Sequence, residues 1–275
     1  MLTDAFTSVL GNILSIFLLL AGFAVYATVF RQVAARRATI QLGVGSTPAA
    51  KTFGWPEAVL AAALISFLML NTLASFSRSP AQLNSRDLVA NLLFTVVVVL
   101  FIATFLRVRG LDVGSLGGLS KISFLRAVST GVVLLFAAYP LIAVADAATQ
   151  RLFGGGSSKQ GIVDLFNDSQ TLRQRILIII LAVAVAPVAE EFIFRLFLYG
   201  VLRRYLGGTA GLILNALLFA IVHAHLPSFA PLFVLGSCFT LAYEWSGSIL
   251  VSMTMHSLFN SITLLLLAFP QIFQQ

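Results

Sequence analysis

The amino-acid sequence predicts an all-α, polytopic transmembrane helical bundle of about eight helices, and three observations predict it. Of the 275 residues, 59% are hydrophobic and only 10% are charged, whereas a soluble domain carries about 25% charged residues. Mean hydropathy is +0.99. Several stretches exceed the roughly 18 to 20 apolar residues that cross a hydrocarbon core of about 30 Å. Composition excludes a soluble fold.

The spans fall at about 9–30, 56–77, 87–106, 125–148, 175–202, 208–226, 229–245 and 248–269, with ends placed to within roughly two to four residues. The opening Met1-Leu2-Thr3-Asp4 lacks the basic region of a signal peptide, so the first apolar stretch is expected to stay in the membrane as span one. Very short links join the last three spans, which forces antiparallel neighbours, because backbone in lipid turns only where it is wet or covered by protein. Two linkers stand out, Gly110 to Lys121 and Gly154 to Asp168. Both are rich in glycine and serine and are expected to be flexible, solvated loops. The second divides the chain into an N-terminal four-helix membrane region, 1–150, and a C-terminal membrane region, 170–270, that holds nearly all the intramembrane polar residues.

The formal charge is +7, but the basic residues sit between spans and form no aromatic-interleaved groove. Lipid headgroups, not nucleic acid, are therefore the expected anion. Alternate loops carry unequal charge. Arg31, Arg36, Arg37, Lys51, Arg107, Arg109, Lys121, Arg126, Arg203 and Arg204 fall on one side, and Arg78, Arg86, Arg151, Lys159, Arg173 and Arg175 on the other. The richer side is expected to face the cytoplasm, leaving both termini outside, in a multi-pass protein of the plasma membrane. The single cysteine, Cys238, lies in an apolar span, so neither an intrachain disulfide nor a cysteine-rich metal cluster can form.

Glu190 and Glu191 stand side by side in the apolar run from Ile176 to Leu202, with Arg195 four residues on. Each charged group at the centre of a membrane helix costs about 2.5–3.5 kcal/mol unless partnered. Glu191 and Arg195 share one helix face in the acid-first order that favours an ion pair. Glu190, about 100° round the helix, is left without that partner and free to exchange a proton with water. Pro187 cannot donate to the carbonyl of Val183, so a kink is expected close to the glutamates. A purely structural role, Glu191 and Arg195 stapling helices while Glu190 bonds a neighbour, would leave the second carboxylate unexplained.

Phe219 and His223 are four apart in one later span, and His256 and Asn260 four apart in the last, so each pair lies on one face. A lone membrane histidine is more often a packing residue than a catalyst. Two of them in helices forced to pack near a double glutamate point to chemistry. The set suffices for peptide hydrolysis: Glu190 takes a proton from water, His223 orients or shares it, and Asn260 with His256 stabilises the oxyanion. His225 faces the other way, with Pro227 closing the segment, and is expected at the interface. The chain contains no His-Glu-x-x-His and no Gly-x-Gly-Asp, Asp146 stands alone, and Ser237 lacks the glycine context of a nucleophile. Glu190, His223 and His256 nonetheless offer one carboxylate and two imidazoles, the ligand count of some catalytic zinc sites, so a divalent metal stays open.

Glu-Glu-Phe-Ile-Phe-Arg at 190–195, Phe-Ala-Ile-Val-His at 219–223, Tyr-Glu-Trp-Ser-Gly-Ser-Ile at 243–249 and His-Ser-Leu-Phe-Asn at 256–260 resemble, in order and spacing, the motifs of the CAAX-protease and bacteriocin-processing family. This is the Abi family of intramembrane proteases, and the resemblance covers roughly 175–268. It implies an eight-helix fold and cleavage of membrane-associated or lipidated proteins and peptides, as by type II CAAX prenyl endopeptidases. It places Glu190 as the water-activating base beside Glu191 and Arg195, with His223, His256 and Asn260 from the later motifs. The family has been described both as metalloproteases and as metal-independent glutamate proteases. Leu196 departs from it, since glycine commonly follows the arginine, and its larger side chain is expected to narrow the approach of substrate or of a packed helix. Two other classes compete: a non-catalytic scaffold or immunity protein of the same fold, and a transporter whose glutamates carry protons.

Overall fold

Backbone in a hydrocarbon layer has to satisfy its own hydrogen bonds, and the chain does so with helices. The structure, a computed structural model, describes residues 2–41, 52–76, 85–153, 169 and 171–268. In order they form α1 (Leu2–Gln41), α2 (Trp55–Phe76), α3 (Ser85–Val108), the short α4 (Val113–Gly117), α5 (Phe124–Phe153), the composite α6 (Leu172–Leu206), α7 (Gly208–Val222), a 3-10 turn at Leu226–Ser228, α8 (Phe229–Ser246) and α9 (Ile249–Ala268). Among these residues six helices are long and apolar enough to span, and two apolar stretches, Leu92–Val108 and Gly208–Val222, are shorter. Each of the eight expected spans thus coincides largely with a helix, and among the described residues six of these helices meet the length and apolarity of a span. The protein is a multi-pass membrane helical bundle.

Local sequence explains the boundaries that frame the site. Thr171 accepts a hydrogen bond from the Gln174 amide at 3.3 Å while the Gln174 side chain accepts from the Thr171 amide at 3.1 Å. This reciprocal cap starts α6. At its other end Gly207 turns the chain with φ 82° into α7.

α5 packs against α1, α8 and α9, while α7 packs along α8 and against the end of α6. Small residues bring these backbones together, as is usual where lipid supplies no hydrophobic drive. A side chain on Gly22 would meet the Ala137 carbonyl at 2.4 Å, and one on Gly131 would meet Thr254 at 2.8 Å. The outer faces of α1, α2 and α3 expose residues such as Phe17, Leu70 and Phe101, which a lipid tail would cover. The best-buried aromatic residues, Phe197, Phe219, Phe239 and Tyr199, lie between α6, α7 and α8.

The Gly110–Lys121 segment is not the flexible loop its composition suggests. Asp112 accepts from the Ser115 amide at 2.7 Å and starts α4, and the Ser115 hydrogen bonds hold its carboxyl below the usual carboxylate range. Gly118, at φ 60°, closes α4 so tightly against the Gly247 carbonyl that an added methyl would sit 1.8 Å away. Glycine there permits a backbone contact as well as a turn. The Tyr243 hydroxyl, donating to the Leu116 carbonyl at 2.8 Å, ties the same segment to α8. The second glycine-rich linker, Gly154 to Asp168, lies outside the described residues.

Candidate active site

The middle of α6 is not a regular α-helix. A π-helical segment, Leu181–Val185, precedes the α-helical turn Ala186–Glu191, and a second, Phe192–Leu198, follows it. Such π-bulges concentrate at functional sites. The first has a cause in the sequence. The Ala186 amide donates to the Leu181 carbonyl, so the π donor for the next carbonyl, Ala182, would be residue 187, and that is proline. Asn260 of α9 donates to the Ala182 carbonyl at 2.7 Å and satisfies it from another helix. The kink expected at Pro187 therefore takes the form of a π-bulge held by an asparagine.

The bulges set two neighbouring glutamates in different surroundings. Glu191 is wholly buried, with one carboxylate oxygen 3.0 Å from an Arg195 nitrogen and 2.9 Å from Nδ1 of His256. Arg195, equally buried, reaches the Gly236 carbonyl at 3.4 Å and lies 4.3 Å from the centre of the Phe219 ring and 5.1 Å from that of Phe239. Ring faces attract a desolvated guanidinium, so aromatic residues complete what one carboxylate leaves unmatched. His256 is held between partners as well, stacked on Phe239 at 5.0 Å and edge-on to Phe219 at 5.8 Å.

Glu190 faces the other way, with 28% of its side chain exposed, and its Oε2 lies 3.8 Å from Nε2 of His256. The two faces of one imidazole thus meet the two glutamates. Because Glu191 takes Nδ1, Nε2 is the nitrogen turned to Glu190. The 3.8 Å separation is too long for a hydrogen bond and of the size that a bridging water spans.

His223 caps α7, with its Nδ1 2.6 Å from the Phe219 carbonyl and its ring 4.8 Å from the Phe219 ring. The same Phe219 ring lies 5.8 Å from that of His256, so one aromatic side chain meets both imidazoles. Ala224 follows at φ 50°, a left-handed conformation unusual for alanine. That turn separates the directions of His223 and His225, whose Nδ1 instead pairs with the Ser228 hydroxyl at 2.9 Å.

The structure therefore brings Glu190, Glu191, Arg195, His223 and His256 together, while the Asn260 amide points one donor at the backbone of the bulge. Among the described residues no three histidine, cysteine, aspartate or glutamate side chains are grouped to hold a metal ion. Glu190, His223 and His256 form no such group. Leu196 is buried next to Gly117, where an added methyl would meet it at 3.3 Å. The departure from the family pattern thus packs against α4.

Three features escaped sequence reasoning. Phe219 and Phe239 form a ring cage around Arg195 and His256, and only the helical spacing of Phe219 from His223 hinted at it. Asn215 on α7 is buried and donates to Thr240 on α8 at 3.1 Å, and Thr240 in turn donates to the Gly236 carbonyl at 2.8 Å. The third is Glu244, which joins Arg37, Tyr199 and Arg203 at one end of the bundle.

Neither the curated proteins nor the solved structures give a match. The family model described as type II CAAX prenyl endopeptidase Rce1-like matches residues 172–262, from the start of α6 into α9. That interval takes in every residue of the polar centre. The chain is a multi-pass membrane protein whose residues 172–262 match the Rce1-like family of type II CAAX prenyl endopeptidases.

Proposed function

We propose that this protein is an endopeptidase that hydrolyses peptide bonds of membrane-associated proteins or peptides with a water activated by Glu190. One observation carries the proposal: a single imidazole, His256, is held on one side by the buried Glu191 and turned on the other toward the part-exposed Glu190. In the neutral tautomer, with Nδ1–H donating to Glu191, Nε2 carries a lone pair, so a water between Nε2 and Glu190 would donate a hydrogen bond to each. Its own lone pairs are then free to attack.

As the water oxygen bonds to the scissile carbonyl carbon, one water proton moves to Glu190 and the carbonyl oxygen becomes the oxyanion. The Asn260 amide has two N–H groups and gives one to Ala182, leaving the second for that oxyanion. Glu190 returns its proton to the amide nitrogen as the C–N bond breaks, so the site ends as it began. His223, fixed through the Phe219 carbonyl, is the group proposed to share the proton in transit. No step is routed through a metal.

The substrate class that the family suggests is a prenylated C-terminal CAAX segment. The test is cleavage of a prenylated CAAX peptide and of unmodified membrane-proximal peptides by purified wild type and Glu190→Gln, with and without chelator. General acid–base groups contribute about 10²–10⁴-fold, and a loss of that size in a folded variant is expected, with no effect of chelator. A Glu190→Gln enzyme that cleaves at the wild-type rate would remove the glutamate from the mechanism.

A further inference from the structure

At the end of the bundle away from His223, a cavity of about 290 Å³ is lined by Arg36, Arg37, Lys121, Arg203, Tyr243 and Glu244 together with small and apolar residues. Four cations face one anion. Both oxygens of Glu244 are already taken, one by Arg37 at 2.8 Å and Arg203 at 3.2 Å, the other by Arg37 and the Tyr199 hydroxyl. Arg36 donates to the Trp245 carbonyl at 2.7 Å, and Lys121 lies across Gly247, whose missing side chain leaves it room. Among the described residues neither Arg36 nor Lys121 has a carboxylate partner, and both are exposed. The cavity has a surplus of positive charge that Glu244 alone does not balance.

Its depth in the membrane is marked. Trp55 and Tyr205 pack with ring centres 5.6 Å apart, and Trp245 donates to Gln32 at 2.7 Å. Aromatic residues of this kind settle at the headgroup level. The cavity is also close to the lower limit of about 300 Å³ for small-molecule pockets, enough for a headgroup and too little for acyl chains. It lies on the face that carries the larger share of lysine and arginine.

We infer that this cavity is a binding site for a phosphate-bearing anion, the headgroup of an anionic phospholipid, with Arg36 and Lys121 as its free cations. Basic pockets between membrane helices take such headgroups. The site couples α1, α4, α6 and α8, so occupancy braces the helix that bears the glutamates at its middle. The inference stands apart from the catalytic proposal, because none of its residues belongs to the polar centre.

The test uses delipidated wild type and an Arg36→Gln, Lys121→Gln double variant, with phosphatidylglycerol, phosphatidylcholine and inorganic phosphate as probes and native mass spectrometry as readout. Two surface cations are expected to change phosphatidylglycerol affinity by roughly thirtyfold and to leave phosphatidylcholine unaffected. Equal phosphatidylglycerol affinity in the two proteins overturns the site. If the double variant fails to fold, the salt dependence of the wild type decides. Affinity that falls as salt rises supports the site, and affinity indifferent to salt overturns it. Complete displacement by inorganic phosphate assigns the pocket to free phosphate, and none assigns it to the lipid. Displacement by a peptide with a free carboxyl terminus at lower concentration than by phosphate overturns the headgroup assignment.

Discussion

Two clusters of charge stand at different depths of the same helix and are built on opposite principles. Around Glu244, near one end of α6, each carboxylate oxygen meets two donors and the cations reach solvent, with 42% of the Arg203 side chain exposed. Around Glu191, in the middle of α6, carboxylate and guanidinium are fully buried. There Oε2 of Glu190, Oε2 of Glu191 and two nitrogens of Arg195 have no aligned hydrogen-bond partner within the protein. Glu191 and Arg195 approach to 3.0 Å as an ion pair without hydrogen-bond alignment. A cluster that only joined helices would be expected to satisfy its polar atoms, as the Glu244 cluster does. Unsatisfied atoms at the deeper, costlier site mark a place kept for something else.

The comparison breaks most readily at Glu190. Because Glu190 is part-exposed and leaves a carboxylate oxygen unbonded, Glu190→Gln is expected to slow cleavage by about 10²–10⁴-fold while thermal unfolding in detergent shifts by less than about 1 kcal/mol. A large loss of stability would make Glu190 a structural residue like Glu191. Arg195→Met strands a buried carboxylate, for which about 3–5 kcal/mol is expected. Adding Glu191→Gln should restore much of it in the same unfolding assay, and failure to do so would mean that the ring cage, not the ion pair, holds this region.

Asn260→Ala leaves the Ala182 carbonyl without its donor, expected at about 1–3 kcal/mol. Here the cause can be isolated, because Pro187→Ala supplies an amide at position 187. If the bulge exists because proline cannot donate, the double variant should be destabilised by less than the sum of the singles. Strict additivity in that cycle would separate Asn260 from the proline. The smallest effect belongs to the shallow cluster. Glu244→Gln is expected to cost about 1 kcal/mol, since its cations are partly hydrated, and raised salt should shrink the difference.

Much of the fold was legible in hydropathy alone, because a membrane span must be a long apolar helix wherever it packs. The Glu191–Arg195 pair followed from a four-residue spacing, and the distortion at Pro187 from a missing amide. The glycine-rich segment after α3 misled, because its glycines suit close packing on Gly247 as well as flexibility, and only the neighbour's position separates the two. The length of the sixth span, 208–226, was overestimated for a similar reason. Its apolar run continues past Val222, but the left-handed Ala224 and Pro227 end the helix at His223.

By itself the sequence determined the class of fold, the helices that carry polar residues and the faces on which those residues lie, since all of these depend on periodicity within one helix. Only the tertiary structure decided that His256 binds Glu191 on one side and faces Glu190 on the other, that Asn260 grips the bulge, and that Glu244 gathers cations from α1 and α6. Those partners are 65, 78 and up to 207 residues apart, and what joins them is how each helix is rotated against its neighbour. That rotation is set by small residues and ring contacts across the whole bundle, and no local spacing encodes it.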